Sequence, residues 1–417
     1  MAATTRGVSP DVASPDVASP DVAAADVVTT EAATADVVIA GGGVIGTAIA
    51  WRAARAGLDV ALVDPGRGDA ASAVAAGMLA PVSEALFGEG ALLRVNLLAV
   101  QRFGAFAAEL EEAAGQQVGL RREGTLAIAY DPGDYAALMR LTAFRRSAGL
   151  EAEELDSRAC RRLEGFLTPD VHGGVLFAGD WSVDNRRYAA ALRTAATAAG
   201  VRFLPGQVTQ VLAEGSGGGQ VRGVRLADGA HIRAGQVVVA AGWRSGGITG
   251  LPAMLRTAVR PVKGQLLRLR HPAGMPPVIS HTIRATVRGA EVYLVPRADG
   301  EVVVGATQEE RGPDRTVTAG AVHDLLHDAM SVLPVTSELI LAETCAGLRP
   351  GTPDNGPVVG GCEISGLLLA TGHYRNGILM SPVTADAIVA CLAGQPPAAP
   401  WEPFTPARFA AQLEGSR

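Results

Sequence analysis

Apolar runs and helical patterns alternate from about residue 37 onward. Residues 37–40 form an apolar, partly β-branched run that predicts a buried strand. The alanine-rich stretch 47–56 predicts a helix, which Gly57 ends. Residues 59–63 are again apolar and predict a second strand. The order strand, helix, strand predicts two parallel strands joined by a crossover helix.

The rest of the chain continues this alternation, interrupts it and then returns to it. Helices are predicted at residues 91–114, 132–148, 155–163, 187–199 and 319–333, and strands at 120–130, 173–183, 201–204, 208–213, 223–226 and 236–241, with a flexible glycine-rich turn at 215–219. Between residues 259 and 306, strands at 264–269, 291–295 and 301–305 follow one another without helices, which indicates an antiparallel sheet. A predicted strand at 366–372 and a predicted helix through Leu392 resume the alternation of strands and helices.

Three spaced glycines follow the first predicted strand. Gly41 suits the tight turn, Gly43 lets the backbone approach a pyrophosphate at a helix N-terminus, and Gly46 lets the helix pack closely on the strand. The second strand leads into Asp64, which can accept hydrogen bonds from ribose hydroxyls. This pattern predicts a dinucleotide site; the alternative is an ordinary strand-helix-strand start without a nucleotide. Taken alone, the stretch fits NAD and FAD equally well.

Two later segments suit a bound cofactor. The loop 70–80 is built of small residues, as expected where backbone lies against a cofactor, although a plain loop has the same composition. After the strand 366–372, a second glycine-rich turn at Gly372 leads into a helix, which can direct its positive N-terminal end at a cofactor. Nicotinamide dehydrogenases do not require this second turn, whereas flavoproteins with an inserted domain do.

Composition excludes several classes of protein. With 417 residues, 48% hydrophobic and 19% charged, the chain is long enough for two globular domains. The net charge of −6 gives no electrostatic footprint for nucleic acid. The sequence has no apolar run of about 18 residues, the length typical of a membrane span, and no apolar core behind a basic start. We therefore expect a soluble protein that binds neither nucleic acid nor membrane.

The cysteines and the N-terminal repeat add two expectations. The four cysteines, Cys160, Cys345, Cys362 and Cys391, lie far apart, which argues against a zinc site or a disulfide framework and favours a reducing cytoplasm. Residues 1–34 contain a repeated Ser-Pro-Asp-Val-Ala unit and few large side chains. They predict a disordered acidic tail, because such a segment buries too little apolar surface to offset the entropy of ordering.

Several motifs together resemble a known family. The chain is similar to the D-amino-acid oxidase superfamily of FAD enzymes, most closely to the glycine oxidases of thiamine biosynthesis, over roughly residues 36 to 395. The motifs that carry the resemblance are Gly41-Gly42-Gly43-Val44-Ile45-Gly46, Ala75-Ala76-Gly77-Met78-Leu79, Val239-Ala240-Ala241-Gly242-Trp243, Pro261-Val262-Lys263-Gly264-Gln265, Tyr293-Leu294-Val295-Pro296-Arg297, Ala346-Gly347-Leu348-Arg349-Pro350-Gly351-Thr352 and Gly372-His373-Tyr374-Arg375-Asn376-Gly377-Ile378. The last three, in this order, are specific to the family.

The resemblance implies an α/β fold, α+β overall, in which a Rossmann-like FAD-binding domain carries an inserted antiparallel-sheet substrate domain. The implied segments are a tail at 1–34, an FAD-binding domain at 35–115, 173–255 and 341–400, a substrate-binding domain at 116–172 and 256–340, and a C-terminal extension at 401–417.

The resemblance also implies the residues of the site. Non-covalent FAD is expected to contact Gly41, Gly43, Val44, Ile45, Gly46, Asp64, Ser72, Ala76, Gly77, Met78, Val208, Gly242, His373, Tyr374, Arg375, Asn376, Gly377, Ile378 and Leu379. Arg349 is implied to bind the substrate carboxylate, with Tyr293 and Arg375 nearby. Arginine suits this role because its planar fork makes two parallel hydrogen bonds to a carboxylate and so fixes the orientation of the substrate. No metal site is expected.

The implied reaction is the oxidative deamination of glycine and similar small amines. Hydride transfer from the substrate Cα to FAD, hydrolysis of the resulting imine and reoxidation by oxygen give a 2-oxo acid, ammonia and hydrogen peroxide. A homo-oligomer is expected by analogy with relatives. The rival interpretations are a sarcosine or other D-amino-acid oxidase or dehydrogenase, and a flavin-binding subunit of a hetero-oligomeric dehydrogenase.

Four further features of the sequence allow more than one interpretation. Cys345 stands in roughly the region where sarcosine oxidases attach flavin through a cysteine, but the residues that follow it match the glycine oxidases, and a buried, unreactive thiol is the favoured interpretation. Gln308 replaces an expected apolar residue in the substrate pocket. His323 and His327 have metal-ligand spacing but are expected on a solvated helix face. Lys263 suits either a flavin contact or a bend in a strand.

Overall fold

Strands and helices alternate through most of the part of the chain that the structure describes. The structure is a computed structural model, and it describes residues 33–66, 70–215 and 219–409. The strands are β1 (Ala33–Ala40), β2 (Val60–Asp64), β3 (Met78–Leu79), β4 (Thr125–Ala129), β5 (Glu153–Asp156), β6 (Gly173–Phe177), β7 (Trp181–Ser182), β8 (Arg202–Pro205), β9 (Val208–Glu214), β10 (Gln220–Leu226), β11 (His231–Val239), β12 (Arg260–Arg270), β13 (Thr282–Val287), β14 (Ala290–Pro296), β15 (Glu301–Gly305), β16 (Ile340–Gly351), β17 (Val358–Gly361) and β18 (Leu367–Thr371).

The longer helices follow the predicted positions, whereas the short helix Ala71–Val74 lies within the predicted loop 70–80. The helices are α1 (Val44–Arg55), α2 (Ala71–Val74), α3 (Gly90–Ala114), α4 (Pro132–Ser147), α5 (Ser157–Leu163), α6 (Asn185–Ala198), α7 (Ala253–Ala258), α8 (Ala319–Val332) and α9 (Gly377–Leu392), with short 3-10 turns at Gly242–Gly247, Pro334–Glu338, Ala399–Phe404 and Pro406–Phe409. The end predicted for the first helix is confirmed, since α1 stops at Arg55 and Gly57 has a positive φ of 91°.

The first sheet is mostly parallel and is covered on both faces. Its strand order is β17, β18, β11, β1, β2, β8, and β10 and β9 extend it beside β11. The strands β18, β11, β1, β2 and β8 run parallel. In β1, Val37 and Ile39 face one apolar core with α1, α3, α6 and α9, whereas Val38 and Ala40 face a second core. Burial on both sides explains why this strand is apolar throughout.

The second sheet is largely antiparallel, as the run of strands without helices predicts. Its order is β16, β12, β15, β14, β13, β4, β6, β5, and among the pairings the structure describes only β13 with β4 is parallel. The helix α8 packs on this sheet through Leu325, Ala329 and Val332. The predicted fold class, an α/β fold with a Rossmann-like part and an antiparallel part, is confirmed.

The sheet pairings differ from the predicted segments at two places. β6 lies between residues 173 and 177 and β16 between 340 and 351, and both belong to the antiparallel sheet, although these ranges were assigned to the FAD-binding domain. The strand β16 pairs with β12 over eleven residues, and no local pattern in the sequence of β16 identifies this partner. The described residues from 33 to 409 belong to one compact unit, so the division into two domains stays a prediction.

Several predicted helix and strand boundaries differ from those of the structure. β1 begins at Ala33, two residues inside the predicted tail, because Ala33 pairs with Ile232 of β11. The predicted helix 155–163 begins only at Ser157, where the Asp156 side chain caps it, and the residues before it form β5. The strand β17 and the helix α7 were not predicted. Most of the predicted tail, the end of the C-terminal extension and the centre of the 215–219 turn lie outside the described residues.

Within the described residues, α3 alone has the length and apolar composition to cross a membrane. Its Phe103, Phe106 and Leu110 are fully buried, and Phe106 packs edge-on against Trp51 of α1 at 5.2 Å between ring centroids. Its Glu109 pairs with Arg52 of α1 at 2.6 Å. These are the contacts of a core helix.

Candidate active site

A cavity of about 470 Å³, here called the main cavity, begins at the carboxyl ends of the parallel strands and reaches the antiparallel sheet. Its volume is within the range of cofactor and ligand sites. Gly41 to Ile45 and Asp64 line one end, and Tyr293 and Arg349 line the other. The carboxyl edge of a parallel sheet is where α/β proteins place their ligands.

The first end of the main cavity is made largely of backbone. The N-terminus of α1 faces it with Gly43, which adopts an extended conformation and leaves the helix without a side-chain cap. Free N–H groups and the helix dipole make such an end an anion site. The two oxygens of Asp64 accept from the N–H groups of Gly42 at 2.7 Å and Gly66 at 2.8 Å, which fixes the carboxylate at the cavity wall.

The loop after Ala70 is held against this end by a buried polar network. Ser72 Oγ accepts from the N–H of Val44 at 3.2 Å, and Asn185 donates to the Ser72 carbonyl at 2.7 Å. Arg297 donates to the carbonyl of Ala76 at 2.6 Å and to Asn185 Oδ1 at 3.2 Å. Burial lowers the pKa of Arg297 to about 10, so it stays charged at neutral pH. The antiparallel sheet therefore positions the small-residue loop.

The second glycine-rich turn joins β18 to α9 beside the cavity. Gly372 has a φ of 74°, in the left-handed region, and a Cβ atom there would lie 2.7 Å from the Thr352 methyl group. His373 is buried, and its Nε2 lies 3.0 Å from Thr384 Oγ1. Burial lowers the pKa of His373 to about 3, so its imidazole is neutral at pH 7. α9 begins without a side-chain cap, which leaves its N-terminal N–H groups for a ligand.

Arg349 and Tyr293 meet at the other end of the main cavity. Arg349 Nη1 donates to the carbonyls of Thr307 at 3.1 Å and Lys263 at 3.3 Å, which holds the plane of the guanidinium. Burial raises the pKa of Tyr293, so its hydroxyl remains a hydrogen-bond donor at neutral pH. An arginine fork and a neutral phenol together suit a carboxylate ligand.

Two strand glycines make room for these side chains. A Cβ atom at Gly264 would collide with the guanidinium of Arg349. A Cβ atom at Gly305 would lie 2.5 Å from Tyr293 Oη. Glycine within a strand often marks such a close approach.

Arg375 lies between α9 and the carboxylate-binding end. It lines the main cavity, and its Nη2 is 3.9 Å from Glu89 Oε2. Its Nε is buried and has no acceptor among the described residues. Such a donor calls for a ligand or a water molecule.

The structure brings most of the predicted site residues together at the main cavity. Those that line it are Gly41, Gly43, Val44, Ile45, Asp64, Ser72, Ala76, Gly77, Met78, Val208, Gly242, Tyr293, Arg349, His373, Tyr374, Arg375, Gly377 and Ile378. Gly46, Asn376 and Leu379 are not in the lining. Gly46 packs under the turn at Gly41, Asn376 is the residue before α9, and Leu379 is buried in the helical core.

The other sequence candidates lie apart from the main cavity lining. Cys345 is half-buried rather than buried, with Met78 and Tyr293 on its apolar side and Glu343 and Arg268 near its thiol, and burial raises the pKa of that thiol. Lys263 is fully buried and its Nζ pairs with Asp314 at 2.6 Å. His323 is exposed and stacks on His327 with 6.0 Å between ring centroids. Gln308 lines an adjoining cavity.

Sequence reasoning missed Glu84 and the roles of the two strand glycines. Glu84 lines the main cavity and pairs with Arg284 at 2.9 Å, a contact between residues 200 positions apart. No local pattern marks it. Gly264 and Gly305 could have been found, because one begins and the other ends a predicted strand, where a glycine can mark close approach of another group.

Comparison with known proteins decides the family. A profile described as "DAO: FAD dependent oxidoreductase" matches residues 36–391. The chain belongs to this family of FAD-dependent oxidoreductases. The family that the motifs predict is thereby confirmed, and with it the prediction of an FAD-dependent oxidoreductase.

Relatives of this oxidoreductase agree with the assignment. The bifunctional protein ThiO/ThiG of Synechocystis sp. is 34% identical over 374 residues, which are 89% of this chain and 54% of that protein. The chain thus spans about half the length of this relative. Hydrogen cyanide synthase subunit HcnC of Pseudomonas aeruginosa is 30% identical over 383 residues, 83% of this chain and 89% of that protein.

A solved structure gives the same result. The glycine oxidase of Geobacillus kaustophilus is 34% identical over 351 residues, 83% of this chain and 89% of that protein. Its crystal structure superposes with a TM-score of 0.81 at 31% identity and covers 89% of this chain and 98% of that chain.

The main cavity of this oxidoreductase fits FAD. The N-terminus of α1 and Asp64 suit the pyrophosphate and ribose of the ADP half, and Ser72 to Met78 and the start of α9 suit the flavin half. A Cβ atom at Gly41 would lie 2.5 Å from the carbonyl of Ala240, so only glycine keeps this wall in place. FAD is therefore the cofactor that the fold and the family both indicate.

Proposed function

We propose that this FAD-dependent oxidoreductase oxidises glycine and similarly small amines, such as sarcosine and small D-amino acids. The observation that carries the proposal is the pairing of Arg349 with Tyr293 at one end of the main cavity, opposite the dinucleotide end. A carboxylate on this pair holds the Cα of the substrate towards the flavin position. The products are a 2-oxo acid, ammonia or an amine, and hydrogen peroxide.

The residues of the chain bind and orient rather than transfer protons in this proposal. FAD, when bound, supplies the acceptor for the hydride from Cα. Arg349 fixes the carboxylate through its fork, and Tyr293 donates a further hydrogen bond. The N-terminus of α9 places positive potential beside the cofactor. Orientation and electrostatics can carry catalysis when the amine arrives neutral.

The test is a substrate screen on the purified yellow protein. Glycine, sarcosine and D-alanine are offered in air, and peroxide, 2-oxo acid and oxygen uptake are measured. The proposal expects peroxide in equal amount to the oxo acid for at least one of them. Turnover with an artificial dye but without oxygen uptake would favour the dehydrogenase alternative.

We further propose that the product imine of glycine supplies thiazole formation in thiamine synthesis. The similarity to ThiO/ThiG supports this role. Expression of the chain in a bacterium that lacks its own glycine oxidase is expected to restore growth without thiamine. Failure to restore growth by a protein that oxidises glycine in extracts would contradict the role.

A second candidate function is a flavin-binding subunit of a larger dehydrogenase, and the similarity to HcnC favours it. In that case the isolated chain would bind FAD but would not turn over any small amine alone. A cytoplasmic location and a homo-oligomeric state stay predictions; size-exclusion chromatography with light scattering tests the second.

A further inference from the structure

A second cavity of about 230 Å³ adjoins the main cavity. Glu84, Tyr293, Arg349 and Arg375 line both cavities. The second cavity lies between α4 and the strands β4, β13 and β14, which supply most of the rest of its lining, and the segment 306–308 after β15 adds to it. A substrate whose carboxylate lies on Arg349 can therefore extend into it.

Arg145 on α4 brings a buried positive charge to this second cavity. It is 3% exposed and lines the cavity, and its Nη2 donates to the carbonyl of Ser83. Its guanidinium also lies over the ring of Phe177 at 5.1 Å. Burial and the neighbouring Arg284 lower the pKa of Arg145 to about 10, so the charge remains at neutral pH.

Arg145 lacks the partner that a buried arginine normally has. Its Nε is buried without an acceptor, and Arg145 makes no ion pair with a carboxylate of the described residues; Asp180, Glu291 and Glu84 act on its charge only from a greater distance. Arg284, by contrast, pairs with Glu84 at 2.9 Å, and its other nitrogen is 3.9 Å from Glu291. A buried charge without an ionic partner is costly. A ligand anion would supply that partner.

The remaining lining is divided between apolar and polar groups. Leu138 and Leu141 of α4 and Val292 of β14 offer apolar contacts, and Gln308 adds a polar side chain. This arrangement suits a short aliphatic chain that ends in an anion.

We propose that the second cavity is a subsite for a second carboxylate of the substrate, and that Arg145 binds this carboxylate. The ligand class is a dicarboxylic amino acid, with the second carboxylate on a short chain at Cα or at nitrogen. Arg145 determines specificity in this assignment. The inference rests on the proposed amine oxidation only for the identity of the first carboxylate site.

The first experiment measures binding without turnover. The yellow holoprotein is titrated with malonate, succinate, glutarate and adipate, and with monocarboxylates of the same chain lengths, while the flavin spectrum is recorded. At least one dicarboxylate is expected to bind more tightly than its monocarboxylate. Arg145→Gln is expected to weaken that dicarboxylate about 10- to 100-fold, the usual range for a charged hydrogen bond, and the monocarboxylate less than about twofold.

Two further variants separate specificity from a folding defect. Arg146→Gln changes the next residue of α4, whose guanidinium is half exposed and donates to the carbonyl of Ala152, and is expected to change neither affinity. Glu84→Gln removes a negative charge from the lining and is expected to strengthen dicarboxylate binding. Equal weakening of both ligand classes by Arg145→Gln, or weaker dicarboxylate binding in Glu84→Gln, would overturn the proposal.

The second experiment measures turnover with matched pairs. D-glutamate is compared with D-glutamine, and N-carboxymethylglycine with N-methylglycine. A selective rise in KM for either acidic member in Arg145→Gln supports the subsite and shows where the second carboxylate is attached. No selective effect in either pair would contradict it. If dicarboxylates bind selectively but no amine reduces the flavin, the proposed function fails and the anion subsite stands.

Discussion

The two ends of the main cavity are built in different ways. The dinucleotide end is formed largely by backbone at the turn at Gly41 and the start of α1, with the side chain of Asp64 beside them, all within a short stretch of chain. The substrate end is formed by side chains, with Tyr293 on β14, Arg349 on β16 and Arg375 before α9. The first end depends on close approach of the chain, and the second on charge and orientation.

This difference predicts that the two ends can be damaged separately. A side chain added at the dinucleotide end should remove the cofactor and with it all activity. A change at the substrate end should leave FAD in place and alter KM.

Gly46→Val should have the largest effect. A Cβ atom at Gly46 would collide with the carbonyl of Gly41, so the turn and α1 cannot keep their positions. We expect FAD binding to weaken by about 100-fold, since overpacking of this kind typically costs about 1–3 kcal/mol. The measurement is the flavin content after purification and the Kd for added FAD.

Gly320→Ala is the matched control, because nothing lies within 4 Å of a Cβ atom at that position in α8. It should retain full flavin content. A yellow Gly46→Val protein with normal affinity for FAD would contradict the backbone account of the dinucleotide end.

Arg349→Met should have the next largest effect, on substrate alone. Loss of two charge-assisted hydrogen bonds should raise KM for the best small amine by about 100- to 1000-fold. The Kd for FAD should change less than about threefold. Steady-state kinetics with flavin titration checks both values, and an unchanged KM would remove Arg349 from the carboxylate site.

Gly264→Ala tests the same site without altering its charge. The added methyl group would occupy the place of the Arg349 guanidinium, so the fork must turn away from its present plane. We expect KM to rise about 10-fold with FAD retained, since geometry is lost and charge is kept. Gly235→Ala, where no atom lies within 4 Å, is the control and should have normal kinetics.

His373→Gln should have the smallest effect, on stability alone. Burial lowers the pKa of His373 to about 3, whereas an unfolded histidine titrates near 6.5. The unfolded chain therefore binds the proton first, and the folded state loses stability as pH falls from about 6.5 towards 3. The decline in Tm between pH 7 and pH 5 should be shallower in His373→Gln than in the wild type. Equal slopes would show that the imidazole is not a source of acid sensitivity.

The same difference between the ends explains what the sequence could predict. Gly41, Gly43 and Asp64 form a local pattern whose spacing has a physical reason. The sequence alone therefore predicts the strand, the turn and the helix at this end. Arg349 on β16 has no such local reason, and only the family motif indicated its role. Glu84 and Arg145 were not predicted, because their positions depend on how α4 and the antiparallel sheet meet.

The fold likewise contains elements that a local sequence pattern predicts and elements that it does not. Apolar runs such as 236–239 predicted the parallel strands, because burial on both faces leaves a clear pattern. The membership of β6 and β16 in the antiparallel sheet was missed, because strand partners are set by long-range register. The helix α7 is only six residues long, too short for periodicity to show.

We propose that a small amine held by Arg349 reduces the bound flavin. Anaerobic titration of the holoprotein with glycine, sarcosine and D-alanine tests it directly, with the oxidised-flavin absorbance as the signal. We expect complete bleaching by at least one of these amines, and return of the absorbance on admission of oxygen. Absence of bleaching by all three, in a protein whose flavin dithionite reduces normally, would contradict it.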